Sequence, residues 1–103
     1  MHQKVINFID RFTDRGKRHE VIDTFSNGCC YWFAYVLYER FIDYCHCYVV
    51  YDQVANHWGT KIDGRVYDIT GEVSDNYNWR DWFVVASEDE ALAARLVRDC
   101  IDF

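Results

Sequence analysis

The chain has 103 residues, half of them hydrophobic and 18% aromatic, which fits a single domain over residues 1–103 and argues against disorder. Its net charge of −6, with no stripe of lysine and arginine, disfavours nucleic acid as a partner, because neutralising phosphates supplies most of that affinity. No run approaches the roughly 20 apolar residues that cross a bilayer, and the start, Met1-His2-Gln3-Lys4-Val5-Ile6-Asn7, lacks the apolar stretch of a secretion signal, so the expected location is the cytoplasm with no membrane partner.

Five cysteines cannot all pair within one chain, and they are expected to be reduced thiols. Proline is absent, so the turns fall to Asn27-Gly28, Asp63-Gly64 and Thr70-Gly71. Val5, Phe8, Ile9 and Phe12 recur at helical spacing and predict an amphipathic helix over 3–13. A polar loop centred on Gly16 follows and holds the densest basic run, Arg15 to Arg18. Ile22 and Phe25, three apart, suggest a short helix over 19–25. Ser26 or Asn27 then caps a helix from Cys29 to about Tyr44. Phe33, Val36, Leu37, Phe41 and Tyr44 make that helix apolar on most faces, as in a central buried helix.

Residues 47–51 are β-branched and aromatic and read as a strand. Asp63-Gly64 between runs 57–62 and 65–70 is a hairpin signal. Residues 72–80 read as a loop, with Trp79, Trp82 and Phe83 as packing anchors. Ser87-Glu88-Asp89-Glu90 fits a capping box before a last amphipathic helix carrying Leu92, Leu96, Val97, Cys100 and Ile101.

The chemistry concentrates at the start of the central helix. A thiol attacks as thiolate, and a helix N-terminus and a nearby imidazolium both stabilise that anion. Cys30 follows a cap-and-glycine turn, where free N–H groups also suit an oxyanion. If Asp63-Gly64 is a two-residue turn, Ile62 pairs with Arg65, Thr60 with Tyr67, Gly59 with Asp68 and His57 with Thr70. His57, Gly59, Asp68 and Thr70 then share one face, with Asp68 diagonally across from His57. An acid there would orient the imidazole and stabilise its charged form.

The segment Gly28-Cys29-Cys30-Tyr31-Trp32-Phe33-Ala34 resembles the Gly-x-Cys-Trp-x-Phe-Ala turn of transglutaminase-like enzymes and is similar to the Gly-x-Cys-Trp turn of papain-like peptidases. The resemblance covers about Phe25 to Glu72. It implies Cys30 as nucleophile, a His at the start of a strand, matched by His57, and an Asp or Asn on the next strand, matched by Asp68. Asn27, Gly28 and Cys29 form the turn that would serve the oxyanion. Papain-like peptidases place a glutamine upstream for that purpose, and the upstream glutamine here is the distant Gln3. The layout also resembles small phage-type proteins of this superfamily.

The expected fold is therefore α+β: a compact papain-like/transglutaminase-like domain, its Cys-bearing helix packed on an antiparallel sheet of at least three strands, with a C-terminal helix. The expected function is thiol-dependent acyl transfer on an amide, peptide or isopeptide, with a protein or peptide as substrate and no cofactor. A second reading keeps the fold with little turnover, as a phage-encoded binding or inhibitory protein directed at a host system. Cys45-His46-Cys47 invites a zinc site, but the one-residue gap is too short for the usual paired-cysteine spacing, so no metal is expected.

Overall fold

The computed structural model describes residues 1–14, 20–22 and 30–101. Phe25, Asn27, Gly28 and Cys29 lie outside the described residues, and with them most of the expected helix over 19–25 and the expected oxyanion turn. Glu20, Val21 and Ile22 are helical.

The first helix, α1 (His2–Thr13), buries Val5, Ile9 and Thr13, spaced one turn apart. Its Phe8 and Phe12 meet Phe41 and Phe33 edge-on, with ring centroids 5.8 and 5.0 Å apart. Helix α2 (Cys30–Phe41) buries Cys30, Phe33, Ala34, Leu37 and Phe41, again at helical spacing. It stops a turn short of the expected Tyr44. The chain leaves the helix through residues 42–45, and Tyr44 is 70% exposed rather than inward-facing.

Five strands follow: β1 (Cys47–Asp52), β2 (His57–Ile62), β3 (Arg65–Asp68), β4 (Gly71–Glu72) and β5 (Arg80–Asp81). They form one antiparallel sheet in the order β4-β3-β2-β1-β5. The two short edge strands occupy the ends of a segment whose polar, aromatic sequence reads as loop, because two-residue pairings leave no periodicity to detect. The hairpin forms as expected, with Ile62 opposite Arg65 and Thr60 opposite Tyr67. Asp63 and Gly64 both take positive φ, 49° and 87°, the turn that Asp-Gly favours. The expected pairing of His57 with Thr70 does not form. β3 ends at Asp68, and the chain turns through Ile69 and Thr70 into β4, so Thr70 caps Asp68 instead of facing His57 across the ladder.

Helix α2 packs on the sheet face that carries Val49, Tyr51, Trp58, Thr60, Ile62 and Tyr67, all buried. Thr60 ties the two layers together by donating its hydroxyl to the Ala34 carbonyl at 2.6 Å. Among the described residues, the opposite face carries no helix. There Val50, Val66 and Val73 are covered by Tyr48, Tyr77 and Trp79, the last two from the 73–79 loop.

Gly59 lets this loop lie close. A Cβ at position 59 would stand 2.9 Å from Val66 Cγ1, 3.2 Å from the Tyr67 carbonyl oxygen and 3.3 Å from the Trp79 ring. One of those atoms is backbone and cannot move aside cheaply. Gly59→Ala is expected to cost about 1–3 kcal/mol by overpacking. Calorimetry should register this as a fall in Tm of about 4–8 °C per kcal/mol. An unchanged Tm would mean that the Trp79 ring is not held against this strand.

At the C-terminal end, α3 (Trp82–Glu88) is capped by Asp81, whose carboxylate accepts from the Phe83 amide at 2.9 Å. Helix α4 (Glu90–Ile101) starts two residues later. Its cap is Asp89, which accepts from the Leu92 amide at 3.0 Å, and not the Ser87 of the expected capping box. Ser87 still belongs to α3, where its hydroxyl donates to the Val84 carbonyl. Among the described residues, no helix is long and apolar enough to cross a membrane.

Candidate active site

The start of α2 and the first residue of β2 meet at one end of the sheet. Cys30 and His57 stand close enough for each side chain to shift the other's proton affinity, and the backbone N–H of Trp58 also acts on the sulfur. Behind the imidazole, Nε2 lies 2.8 Å from Asp68 Oδ2, which leaves Nδ1 as the ring nitrogen that serves the thiol. Asp68 is fixed in turn by Thr70, whose amide donates to Oδ1 at 2.8 Å and whose hydroxyl donates to the same oxygen. Cys30, His57 and Asp68 are 6%, 8% and 6% exposed, so all three lie away from bulk water.

Burial pushes the Cys30 thiol up. The hydrogen bond from His57, the Trp58 amide, the imidazolium charge and the Tyr31 amide act the other way and prevail, so Cys30 ionises below an ordinary cysteine. Burial likewise pulls His57 down, but its hydrogen bonds to Asp68 and Cys30 and their negative charges carry it up to about 9. Burial pushes Asp68 up, while the His57 and Thr70 hydrogen bonds and the imidazolium charge hold it below the usual carboxylate range. The thiol is thus easier to ionise than an ordinary cysteine, beside an imidazolium that holds its proton up to about 9 and a carboxylate that stays charged.

The other described thiols sit differently. Cys45 Sγ donates to the Phe41 carbonyl at 3.2 Å, and Cys47 Sγ lies 4.0 Å from the Tyr38 carbonyl. Burial raises both, with the charge of Asp63 adding to it, and Cys47 reaches about 12. The sequence reading thus brings together Cys30, His57 and Asp68 in space.

Four further residues stand at the site: Trp79, expected only as a packing anchor, and Tyr77, Asp52 and Tyr51, to which the sequence reading gave no role there. Tyr77 and Trp79 lie against the His57 ring, with centroids 4.9 and 5.9 Å away and ring planes tilted by 30° and 39°. Their faces suit a cationic imidazolium. Asp52 stands opposite His57 in the β1–β2 register and is buried. Its Oδ1 accepts from the amides of Val54 and Ala55, and its Oδ2 from the amide of Asn78 at 2.8 Å. Those amides and the charge of His57 outweigh burial and keep Asp52 ionised below the usual range. Tyr51 donates its hydroxyl to Asn56 Oδ1 at 2.7 Å. Burial, the Asp52 charge and the Cys30 charge raise its pKa, which puts the ring within electrostatic reach of the thiolate. Asp52 had a detectable signal, an Asp at a strand end ahead of free turn amides.

Fold and site together define a small α+β protein with a five-stranded antiparallel sheet and a buried thiol–imidazole–carboxylate chain. A family model described as Phage YunG-like protein matches residues 5–96, and the chain belongs to that family. No curated protein and no solved structure matches it significantly.

Proposed function

We propose that the chain is a thiol-dependent acyl-transfer enzyme with a papain-like/transglutaminase-like arrangement, acting on an amide of a peptide or protein. The observation that carries this reading is the meeting of Cys30, His57 and Asp68, with the imidazole held by Asp68 at 2.8 Å and acting on the thiol that lies beside it. The Cys30 thiolate attacks the amide carbon, and the carbonyl π electrons move to oxygen. The tetrahedral intermediate collapses as the His57 imidazolium gives its proton to the leaving nitrogen. An amine departs, and a thioester remains on Cys30. Neutral His57 then takes a proton from water, the hydroxide adds to the thioester, and carboxylic acid and thiolate are regenerated. Asp68 holds the ring with Nδ1 toward sulfur and stabilises the imidazolium.

Acylation by p-nitrophenyl acetate tests this reading. A burst of nitrophenol with a transient acetyl group on Cys30, seen by intact-protein mass spectrometry and absent from Cys30→Ala, is the expected result. Acetylation spread evenly over several residues, and undiminished in Cys30→Ala, would refute it.

The family description and the near-complete burial of the thiol favour one second reading. In it, the same fold binds and inhibits a host protein without turnover. A stable acetyl-Cys30 that never hydrolyses would support this second reading over the first.

A further inference from the structure

The end of α2 far from Cys30 carries a feature that the thiol chemistry does not use. Arg40 is about 15 Å along the helix axis from Cys30. There a groove of about 440 Å³ runs between α1 and α2, lined by Lys4, Asn7, Arg11, Arg40, Phe41 and Tyr44. An adjoining cleft of about 450 Å³ shares Arg11 and Arg40 with it and adds Phe8 and Phe12. Both volumes fall in the range of ordinary ligand sites.

The cations of this groove are unusual in an acidic chain. Arg65 and Arg80 are ion-paired with Glu72 and Glu88. Lys4, Arg11 and Arg40 have no carboxylate at ion-pair distance among the described residues. Glu39 and Asp43, beside Arg40 and Tyr44 in sequence, do not line the groove. The Arg40 guanidinium is meanwhile held among three rings, 5.9 Å from the centroid of Phe8, 5.3 Å from Phe41 and 5.9 Å from Tyr44. Rings on several sides restrict the side chain, which stays exposed to a ligand. An arginine so held loses little entropy when it grips an anion with both arms of its fork.

We propose that this groove docks a short acidic segment of a partner protein, an extended stretch with two carboxylates about three residues apart and an apolar side chain between them. Lys4 and Arg11 are about 10 Å apart along α1, the reach of about three extended residues. Arg11 and Arg40, at the shared edge of the two clefts, take one carboxylate, and Lys4 takes the other. Asn7, between them, suits the peptide backbone, and Phe41 and Tyr44 receive the apolar side chain. A long polyanion is disfavoured because the rest of the molecule, with its net charge of −6, repels it. A lone phosphate would leave either Lys4 or the arginine pair unused. The proposal does not depend on the thiol chemistry.

The test titrates the isotope-labelled full chain with the peptide acetyl-Gly-Glu-Ala-Phe-Glu-Gly-amide, observed by amide chemical shifts. Shifts confined to α1 and to residues 38–44 are expected, weakened by added salt. The counterpart with both Glu replaced by Gln should leave them unmoved. Arg40→Ala and Arg11→Ala should each weaken binding about ten-fold, the loss expected for a charge-assisted hydrogen bond. Arg98→Ala on α4 and Cys30→Ala should leave binding unchanged. Arg11 is exposed, so its variant tests the groove even if Arg40→Ala unfolds. The proposal is overturned if millimolar peptide moves no resonance, or if the Gln peptide binds equally. Tighter binding at these residues by a single-stranded oligonucleotide or by inorganic pyrophosphate would overturn it as well.

Discussion

Removal of the imidazole in His57→Ala is expected to slow alkylation of Cys30 by iodoacetamide at pH 7 by on the order of a hundred-fold. Burial alone pushes this thiol up, and the hydrogen bond from His57 is the largest influence opposing it, with the imidazolium charge adding to the effect. Without the ring, the sulfur sits among Ala34, Tyr51 and Trp58 with only backbone amides to favour its charge, and the thiolate fraction collapses. In the intact protein the rate should climb through a pKa below that of free cysteine and then level off. Acyl transfer should add a second limb. Because His57 keeps its proton up to about 9, turnover should fall as pH rises through that value and the leaving nitrogen loses its proton donor. Cys45 and Cys47, both raised by burial, are internal references that should react slowly at neutral pH. His57→Gln fills the space without supplying a cation and guards against collapse of the ring pocket. Per-residue mass spectrometry across pH 5–10 is the measurement. Equal rates at Cys30, Cys45 and Cys47, or a His57→Gln protein as reactive as wild type, would remove the ion pair from the mechanism.

How much of this was legible in the sequence depends on the range of the interactions. The hairpin was readable because Asp63-Gly64 is a local signal, and its register carried Asp68 to the same sheet face as His57. The buried stripe of α2 was readable from spacing, though its end was not, since nothing in Ile42-Asp43-Tyr44 forbids another helical turn. Edge strands β4 and β5 were missed because two-residue strands are created by their neighbours, not by their own composition. The aromatic wall on His57 was missed for a related reason. Tyr77 and Trp79 approach the ring because the 73–79 loop folds over the sheet face away from α2, where Gly59 leaves it room. Asp89 displaced Ser87 as the cap of α4 because a separate short helix, α3, claimed Ser87 first.

Two buried carboxylates flank the imidazole, and they should separate cleanly by mutation. Asp68→Asn is expected to lower Cys30 reactivity at pH 7 about ten- to a hundred-fold while the fold survives. The amide keeps the shape but has one acceptor oxygen: with that oxygen on Thr70, its NH₂ faces Nε2 and favours a ring that carries no proton there. The amide has no charge to hold the imidazolium, so His57 falls from about 9 toward an ordinary histidine and Cys30 loses much of its partner. Asp52→Asn should do the reverse. Both Asp52 oxygens accept backbone amides, from Val54 and Ala55 on one side and Asn78 on the other, so either orientation of an Asn turns an NH₂ against an N–H. Leaving such a buried donor unsatisfied costs about 1–3 kcal/mol. Tm should therefore drop, while the Cys30 rate in the folded protein changes little, because the Asp52 carboxylate does not touch the ring nitrogen that Asp68 holds. Stability should also acquire opposite pH signatures. Asp52 and Asp68 are depressed in the folded state, so each contributes stability that is present above the ordinary carboxylate pKa and lost as pH falls toward its folded value. His57 is raised, so its contribution is complete below an ordinary histidine pKa and lost as pH climbs through about 9. Asp68→Asn should flatten both the acid and the alkaline limbs of a Tm-against-pH curve, because it removes one carboxylate and the support of the imidazolium together. Asp52→Asn should flatten mainly the acid limb. Asp63→Asn, in the turn with positive φ that Asn adopts as readily, is the control that should alter neither curve nor rate. If Asp52→Asn slows Cys30 more than Asp68→Asn does, the orienting carboxylate has been assigned to the wrong strand.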